Sequence, residues 1–239
     1  MRILVILPTY NEACNIRGIA ESIIALRESP DILIIDDDST DGTKDIVRAL
    51  VSQYAEKIFL MERAAKLGLG SAYIAGFKFA LTRAYDYIFE MDADLSHDST
   101  EIPNFMKAME GADLVVGSRY SDGIRIMNWP LRRLVLSYTA NVYARWMSGL
   151  HLTDCTSGYK CFSRKALEVL PIASIVSNGY SFQIEVNFLC YRLGLRIKEI
   201  PIVFTERKFG SSKMSKAIAS EAFFLGFRLL FQRINIFRR

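Results

Sequence analysis

The chain has 239 residues, half of them apolar (51%), and a formal net charge of +4. That length buries one substantial core, and the composition excludes a disordered protein. No apolar run of about 18 residues is free of charge, which excludes a membrane-spanning helix.

Ile3 to Leu7 is a continuous apolar run bounded by Pro8, the pattern of a central parallel strand. Thr9-Tyr10-Asn11-Glu12 forms the loop after it. Asn11 or Asn15 is placed to cap a helix that carries Ile16, Ile19, Ile23 and Leu26 on one face. A second strand, Ile32 to Ile35, runs into Asp36-Asp37-Asp38-Ser39. Thr40-Asp41-Gly42 turns the chain, and Thr43 caps a helix to about Ser52. Ile58 to Met61 is a third strand and Ser71 to about Arg83 a third helix. Tyr87 to Met91 is a fourth strand, Ile102 to Met109 a short helix, and Leu114 to Val116 a fifth strand. This alternation predicts one α/β domain, an open and mostly parallel sheet flanked by helices.

After Tyr120 the pattern changes. Leu131 to Leu150 is a long helix rich in aromatics, Asp154 to Lys160 a polar loop, Phe182 to Leu193 a helix and Arg196 to Phe204 a strand. A C-terminal amphipathic helix, about Ser215 to Phe237, places Glu221, Arg228, Gln232 and Asn235 on one stripe among Phe, Leu, Ile and Ala. With no linker or repeat, residues 1–239 read as a single domain. The charge is uneven. From Arg196 onward ten Lys/Arg face three Asp/Glu, so the preceding 195 residues are net −3. A basic, aromatic tail points to phosphate or an anionic membrane surface as partner, with nucleic acid a further candidate. The four cysteines, Cys14, Cys155, Cys161 and Cys190, match no zinc or redox spacing and read as free thiols in a reducing cytoplasm.

In open α/β sheets, ligands sit beyond the carboxyl ends of the strands. Four polar clusters fall there: Thr9 to Glu12, Asp36 to Ser39, Asp92-Ala93-Asp94 and Gly117-Ser118-Arg119. Asp92 and Asp94 converge where the fourth strand frays, and two hard carboxylates suit Mg²⁺ or Mn²⁺ carrying a diphosphate. A polar turn is the plainer reading of Asp-Ala-Asp, and turn or cap contacts are the plainer reading of Asp38 and Asp41. Leu67-Gly68-Leu69-Gly70 has Tyr73 where the third glycine of a dinucleotide loop belongs, so it reads as a flexible loop near a nucleotide. Arg207, Lys208, Gly210, Ser211, Ser212 and Lys213 form a phosphate-binding candidate. Of the two histidines, His97 lies beside the metal loop without ligating and His151 is structural.

Together Leu7-Pro8-Thr9-Tyr10-Asn11-Glu12, Ile35-Asp36-Asp37-Asp38-Ser39-Thr40-Asp41-Gly42-Thr43, Met91-Asp92-Ala93-Asp94-Leu95-Ser96-His97 and Gly117-Ser118-Arg119-Tyr120 resemble the family 2 glycosyltransferases of GT-A fold. Thr205-Glu206-Arg207 with Gly210 and Ser212-Lys213 narrows the resemblance to dolichol-phosphate (polyprenol-phosphate) mannose synthases. It covers nearly the whole chain and implies a nucleotide-sugar-binding half at 1–120 and an acceptor-binding half with interfacial helices at 121–239. It implies that Pro8, Tyr10, Glu12, Ile35 and Asp37 line the guanosine pocket of GDP-mannose. It implies that Asp92, Ala93 and Asp94 hold the diphosphate and its Mg²⁺ or Mn²⁺, and that Arg119, Arg207 and Lys213 bind phosphates of donor or acceptor. Ser96 stands where some members carry a Gln near the metal, and Asp98 replaces a proline often found after His97. The acceptor would be a dolichyl or polyprenyl phosphate, already anionic at pH 7 and able to attack without a general base. The resemblance implies a peripheral enzyme on the cytoplasmic face of a membrane, with room for a membrane-anchoring partner subunit and no nucleic acid. Transfer from another sugar nucleotide such as UDP-glucose, or a non-catalytic nucleotide-sugar-binding subunit, are the alternatives.

Overall fold

The computed structural model describes residues 1–206 and 216–236. β1 (Ile3–Thr9) is followed by α1 (Ile16–Ile24), β2 (Asp31–Asp36), α2 (Thr43–Gln53), β3 (Ile58–Glu62), α3 (Leu69–Leu81) and β4 (Tyr87–Glu90). Then come α4 (Ile102–Ala108), β5 (Leu114–Ser118), β6 (Ile126–Met127) and the long α5 (Leu131–Ser148). β7 (Lys160–Ser163), α6 (Arg164–Val169), α7 (Gly179–Arg192), β8 (Ile197–Pro201), β9 (Phe204–Thr205) and α8 (Lys216–Ile236) complete the order.

Seven strands form one sheet in the order β3-β2-β1-β4-β7-β5-β8. Every neighbour pair is parallel except those made by β7, which runs antiparallel between β4 and β5. The near-continuous apolar runs of β1 and β2 follow from burial on both faces. Val5, Leu7, Ile32 and Ile34 pack with Ile16, Ile19 and Ile23 of α1 and with Val47 of α2. Leu4, Ile6, Leu33 and Ile35 pack on the other face with Ala72, Tyr73 and Phe77 of α3 and Phe182 of α7. Each fully buried aliphatic side chain contributes about 1.5–3 kcal/mol of transfer free energy.

The expected polar loop ending at Lys160 is corrected: Lys160 opens a strand, paired with Glu90 on one side and Val116 on the other. Sequence period missed it because its four residues, Lys-Cys-Phe-Ser, begin with a charge that is normally solvated. The single strand expected over Arg196 to Phe204 is two elements. β8 ends at Pro201, and β9 pairs with β6 in a separate two-stranded sheet.

A third apolar cluster joins Ala144 of α5, Ile184 and Phe188 of α7, and Leu225 and Leu229 of α8. Tyr143 stacks on Phe223 at 5.8 Å, and its hydroxyl donates to the Phe223 carbonyl at 2.8 Å. Arg228, on the expected polar stripe of α8, faces inward and pairs with Glu185 of α7. Phe223, Phe224, Phe227 and Phe231 of α8 are exposed, as are Leu131, Val135, Tyr138, Val142 and Trp146 of α5. Those α5 positions recur every three or four residues, so they form one stripe. Among the described residues no helix is long and apolar enough to cross a membrane.

Candidate active site

The parallel strands β1, β2, β4 and β5 deliver their C-terminal ends to one edge of the sheet. Because β7 runs the other way, the residues preceding it reach that same edge. Three loops there contain a non-glycine residue with left-handed backbone: Asn11 (φ 57°), Asp38 (φ 61°) and Leu95 (φ 62°). Asn and Asp tolerate this region; for Leu95 it costs about 1–2 kcal/mol, the kind of strain that collects where loops are shaped for ligands.

The carboxylates after β2 divide their work. Asp36 is fully buried and accepts from the Thr9 hydroxyl (3.0 Å), the Ser39 N–H (2.8 Å) and the Ser39 hydroxyl (2.6 Å). Asp38 pairs with Lys44 at 2.8 Å. Asp41 accepts from the N–H groups of Thr43 (3.1 Å) and Ala13 (3.0 Å). Thr43 is not the cap: it is the first residue of α2 and accepts the Glu12 N–H at 2.9 Å. Glu12 itself is buried, its carboxylate accepting from the Asn15 amide at 2.9 Å.

Asp37 ties down the glycine loop. It accepts the Gly68 N–H at 2.8 Å and lies 2.9 Å from the Arg63 guanidinium. Burial raises its pKa above the usual carboxylate value, against the lowering effect of the Gly68 N–H and Arg63. Gly68 is required there: its φ is +95°, and a Cβ would meet the Asn178 amide at 2.5 Å. The loop also places the Lys66 ammonium 3.9 Å over the Tyr10 ring. Pro8, Tyr10 and Asp37 thus lie at or just beyond the C-terminal ends of the adjacent strands β1 and β2, whereas the Ile35 side chain is fully buried on the α3 face.

β4 stops at Glu90, one residue earlier than expected, so Asp92 and Asp94 both belong to the loop. Asp94 is buried, and its Oδ1 accepts the Ser96 N–H (3.1 Å) and hydroxyl (2.5 Å). Ser96 therefore fixes Asp94, and the Ala93 methyl packs into the core. The Asp92 side chain is about a third exposed. His97 Nδ1 accepts the Asp92 N–H at 3.1 Å, which places the ring proton on Nε2, 3.9 Å from the Asp92 carboxylate. Burial lowers the His97 pKa, so the ring stays neutral. Among the described residues no group of three His, Cys, Asp or Glu is set to hold a metal by itself. The two carboxylates Asp92 and Asp94 fit a hard ion that takes other oxygens from a diphosphate and water.

Beneath this loop lies a buried polar layer. The Lys160 ammonium is fully buried, 3.9 Å from Glu90, and donates to the Gln183 carbonyl (3.2 Å) and the Gln183 side-chain oxygen. Burial raises the Glu90 carboxyl to about 7, and burial lowers Lys160. The sequence reading missed both.

On the far side, Arg119 is clamped by Asp154. Its N–H, Nε and Nη2 donate to the Asp154 carboxylate at 3.1, 2.6 and 2.7 Å, and Nη2 also reaches the Thr156 hydroxyl at 2.7 Å. Burial opposes ionisation of Asp154, but Arg119 outweighs it and holds the carboxyl below its ordinary value. Tyr120, Trp129 and Phe204 surround the guanidinium at 5.5–5.8 Å. Arg133 stacks on Trp129 at 4.0 Å and pairs with Glu206 at 2.5 Å. Arg207 and Lys213 lie outside the described residues. Asp154 and Arg133 were legible only as members of a polar loop and a helix start; their partners are 35 and 73 residues away.

A doubly flanked sheet with an antiparallel insertion, carboxylates after β2 and β4 and a clamped arginine after β5 defines a nucleotide-sugar transferase of GT-A fold. The chain belongs to glycosyl transferase family 2, whose sequence profile matches residues 4–170, and it is a glycosyltransferase. Within that family it is 43% identical over 225 residues to the undecaprenyl-phosphate mannosyltransferase of Micrococcus luteus, covering 93% of this chain and 91% of the relative. It is also 43% identical over 224 residues to the polyprenol monophosphomannose synthase of Mycolicibacterium smegmatis, covering 93% and 84%. The fold is shared with the Mycobacterium tuberculosis glucosyl-3-phosphoglycerate synthase. The crystal structure of that protein with Mn²⁺, UDP and glucosyl-3-phosphoglycerate gives a TM-score of 0.67 at 21% identity, over 97% of this chain and 79% of that one. Its structure with Mg²⁺ and UDP gives 0.68 at 21% identity, over 96% and 79%.

Proposed function

We propose that this glycosyltransferase moves mannose from GDP-mannose to a dolichyl or polyprenyl phosphate with inversion, releasing GDP and polyprenyl phosphate β-mannose. The observation that carries the reading is the gathering of the Asp92 and Asp94 carboxylates and the clamped Arg119 at one edge of the sheet. Among the described residues His97 is buried and neutral with Nδ1 engaged, and Glu90 is buried beneath the loop. A hydroxyl acceptor needs a base; a phosphate acceptor arrives as an anion and needs only orientation and charge stabilisation. The names of the two 43% identical relatives support both the sugar and the lipid phosphate.

In this reading Tyr10 and Asp37 hold the nucleoside, with the glycine loop over it. Asp92 and Asp94 hold Mg²⁺ or Mn²⁺, which when bound neutralises the charge that develops on the departing diphosphate. Arg119, kept rigid by Asp154, together with Arg207 and Lys213, orients the acceptor phosphate toward the anomeric carbon. The exposed apolar stripes of α5 and α8 lie on the cytoplasmic face of a membrane, where the isoprenoid tail enters. A partner subunit that anchors the enzyme would bind on the same side.

The test is transfer from radiolabelled GDP-mannose and UDP-glucose to short polyprenyl phosphates. Mannose transfer with glucose near background is expected. Transfer from UDP-glucose alone would refute the donor assignment, and no turnover with any donor–acceptor pair would leave a binding subunit.

A further inference from the structure

We propose that Asn178 is a positioning residue for the donor nucleotide: from the second half of the chain it holds the glycine loop in place beside Asp37. The inference rests on the reading of Tyr10 and Asp37 as the nucleoside site.

Asn178 stands at the N-cap position of α7, where an asparagine ordinarily spends its side chain on its own helix. Here it makes no capping bond to α7. The side chain turns to α3 instead. Its Oδ1 accepts the Gly70 N–H at 2.8 Å, and its Nδ2 donates to the Leu67 carbonyl at 3.2 Å. The N-cap of α3 is Gly68, which has no side chain to satisfy the first N–H groups of that helix. Asn178 supplies the missing acceptor from 108 residues away.

The approach is close. A Cβ on Gly70 would meet the Ser177 carbonyl at 2.6 Å, and one on Gly68 would meet the Asn178 amide at 2.5 Å. The Leu67-Gly68-Leu69-Gly70 sequence therefore admits the 177–178 segment rather than forming a dinucleotide turn. That segment is anchored in turn. The Ser177 N–H donates to the Glu185 carboxylate at 3.0 Å, and Glu185 pairs with Arg228 of α8.

The loop is thus held from two sides, by Asp37 on the Gly68 N–H at 2.8 Å and by Asn178 on Leu67 and Gly70. Within the same loop Lys66 lies 3.9 Å over the Tyr10 ring. In the donor reading Asp37 also faces the nucleoside, so the hold by Asn178 is the one that does not compete with the ligand. If the loop is in place in only a fraction of the molecules, the apparent affinity falls by that fraction.

The test is Asn178→Ser, which keeps a good N-cap for α7 in a side chain one atom shorter. Limited trypsinolysis reads the loop directly, because Lys66 is exposed. Cleavage after Lys66 is expected to be at least about ten-fold faster in the variant, and GDP with Mn²⁺ is expected to slow it in the wild type. Calorimetric titration is expected to show GDP affinity about ten-fold weaker in the variant. The KM for polyprenyl phosphate is expected to stay within about two-fold, and the melting temperature to fall by no more than about 4 °C. Unchanged cleavage or unchanged GDP affinity would overturn the proposal, as would matched losses for GDP and acceptor, the mark of a structural role. Absence of protection by GDP in the wild type would overturn it without any variant. UDP is titrated in parallel to separate the layers. A wild type that binds UDP and not GDP refutes the donor assignment, and protection and affinity with UDP then decide the proposal. A wild type that binds neither refutes the nucleotide site and this inference with it.

Discussion

Asp154→Ala is the sharpest perturbation of the site. Asp154 is fully buried and Arg119 only 5% exposed, so removing the carboxylate takes the buried counter-charge from a guanidinium set among Tyr120, Trp129 and Phe204. Three charge-assisted contacts of 2.6–3.1 Å vanish together. Truncating one partner of a buried pair costs about 3–5 kcal/mol because the other charge is left uncompensated. That is a large part of the roughly 5–15 kcal/mol that stabilises a typical domain. Urea unfolding at pH 7.5 measures it, with Glu21→Ala as the exposed-pair control, expected to cost about 0–1 kcal/mol. Arg119→Ala/Asp154→Ala is expected to be more stable than Asp154→Ala alone, since it removes the orphaned charge. A loss under about 1 kcal/mol, or two single losses that simply add in the double variant, would refute the clamp.

Glu90 gives a pH signature. Its folded pKa is raised to about 7 from 4.5, so its contribution is fully present below about 4.5 and is lost as pH rises through about 7. Relative to Glu90→Gln, the wild type is expected to lose up to about 3 kcal/mol between pH 4.5 and 8; parallel stability curves would contradict this. Phe224→Ser/Phe231→Ser removes two exposed rings from α8. At about 1 kcal/mol per ring partly buried in the interface, partition onto phospholipid vesicles is expected to fall about thirty-fold, and unchanged sedimentation with vesicles would place the apolar face elsewhere. Lys213→Ala is expected to raise the KM for polyprenyl phosphate at least about ten-fold with GDP affinity held within about two-fold; equal losses would assign Lys213 to the donor.

The strand ends were readable because each couples an apolar run to a polar break. Ile3 to Leu7 with Tyr10, and Ile32 to Ile35 with Asp37, fall on β1 and β2 with their acidic loops at the same sheet edge. Pairings across long sequence separations were not readable. Arg119 announces a cation but not that Asp154 neutralises it, and Lys160 at the head of β7 looks like a solvated loop residue. Ile35, which the resemblance assigns to the nucleoside pocket, has its side chain in the core on the α3 face of the sheet, because the pleat alternates the faces of β2.

The position of β7 binds the two halves of the chain more tightly than their sequence division implies. β4 and β5 do not touch as neighbours; each completes its ladder only on Lys160–Ser163, made after the whole of α5. On the ribosome, the strand that leads into Asp92 and Asp94 waits with one edge open until that segment emerges. A fragment ending near residue 120 would carry the loops after β1, β2 and β4 on an unfinished sheet, open to wrong strand partners. The stretches 1–120 and 121–239 therefore cannot be swapped between relatives as cassettes at that boundary. An exchange that respects the fold must carry β7, and with it Asp154, along with the strands it joins.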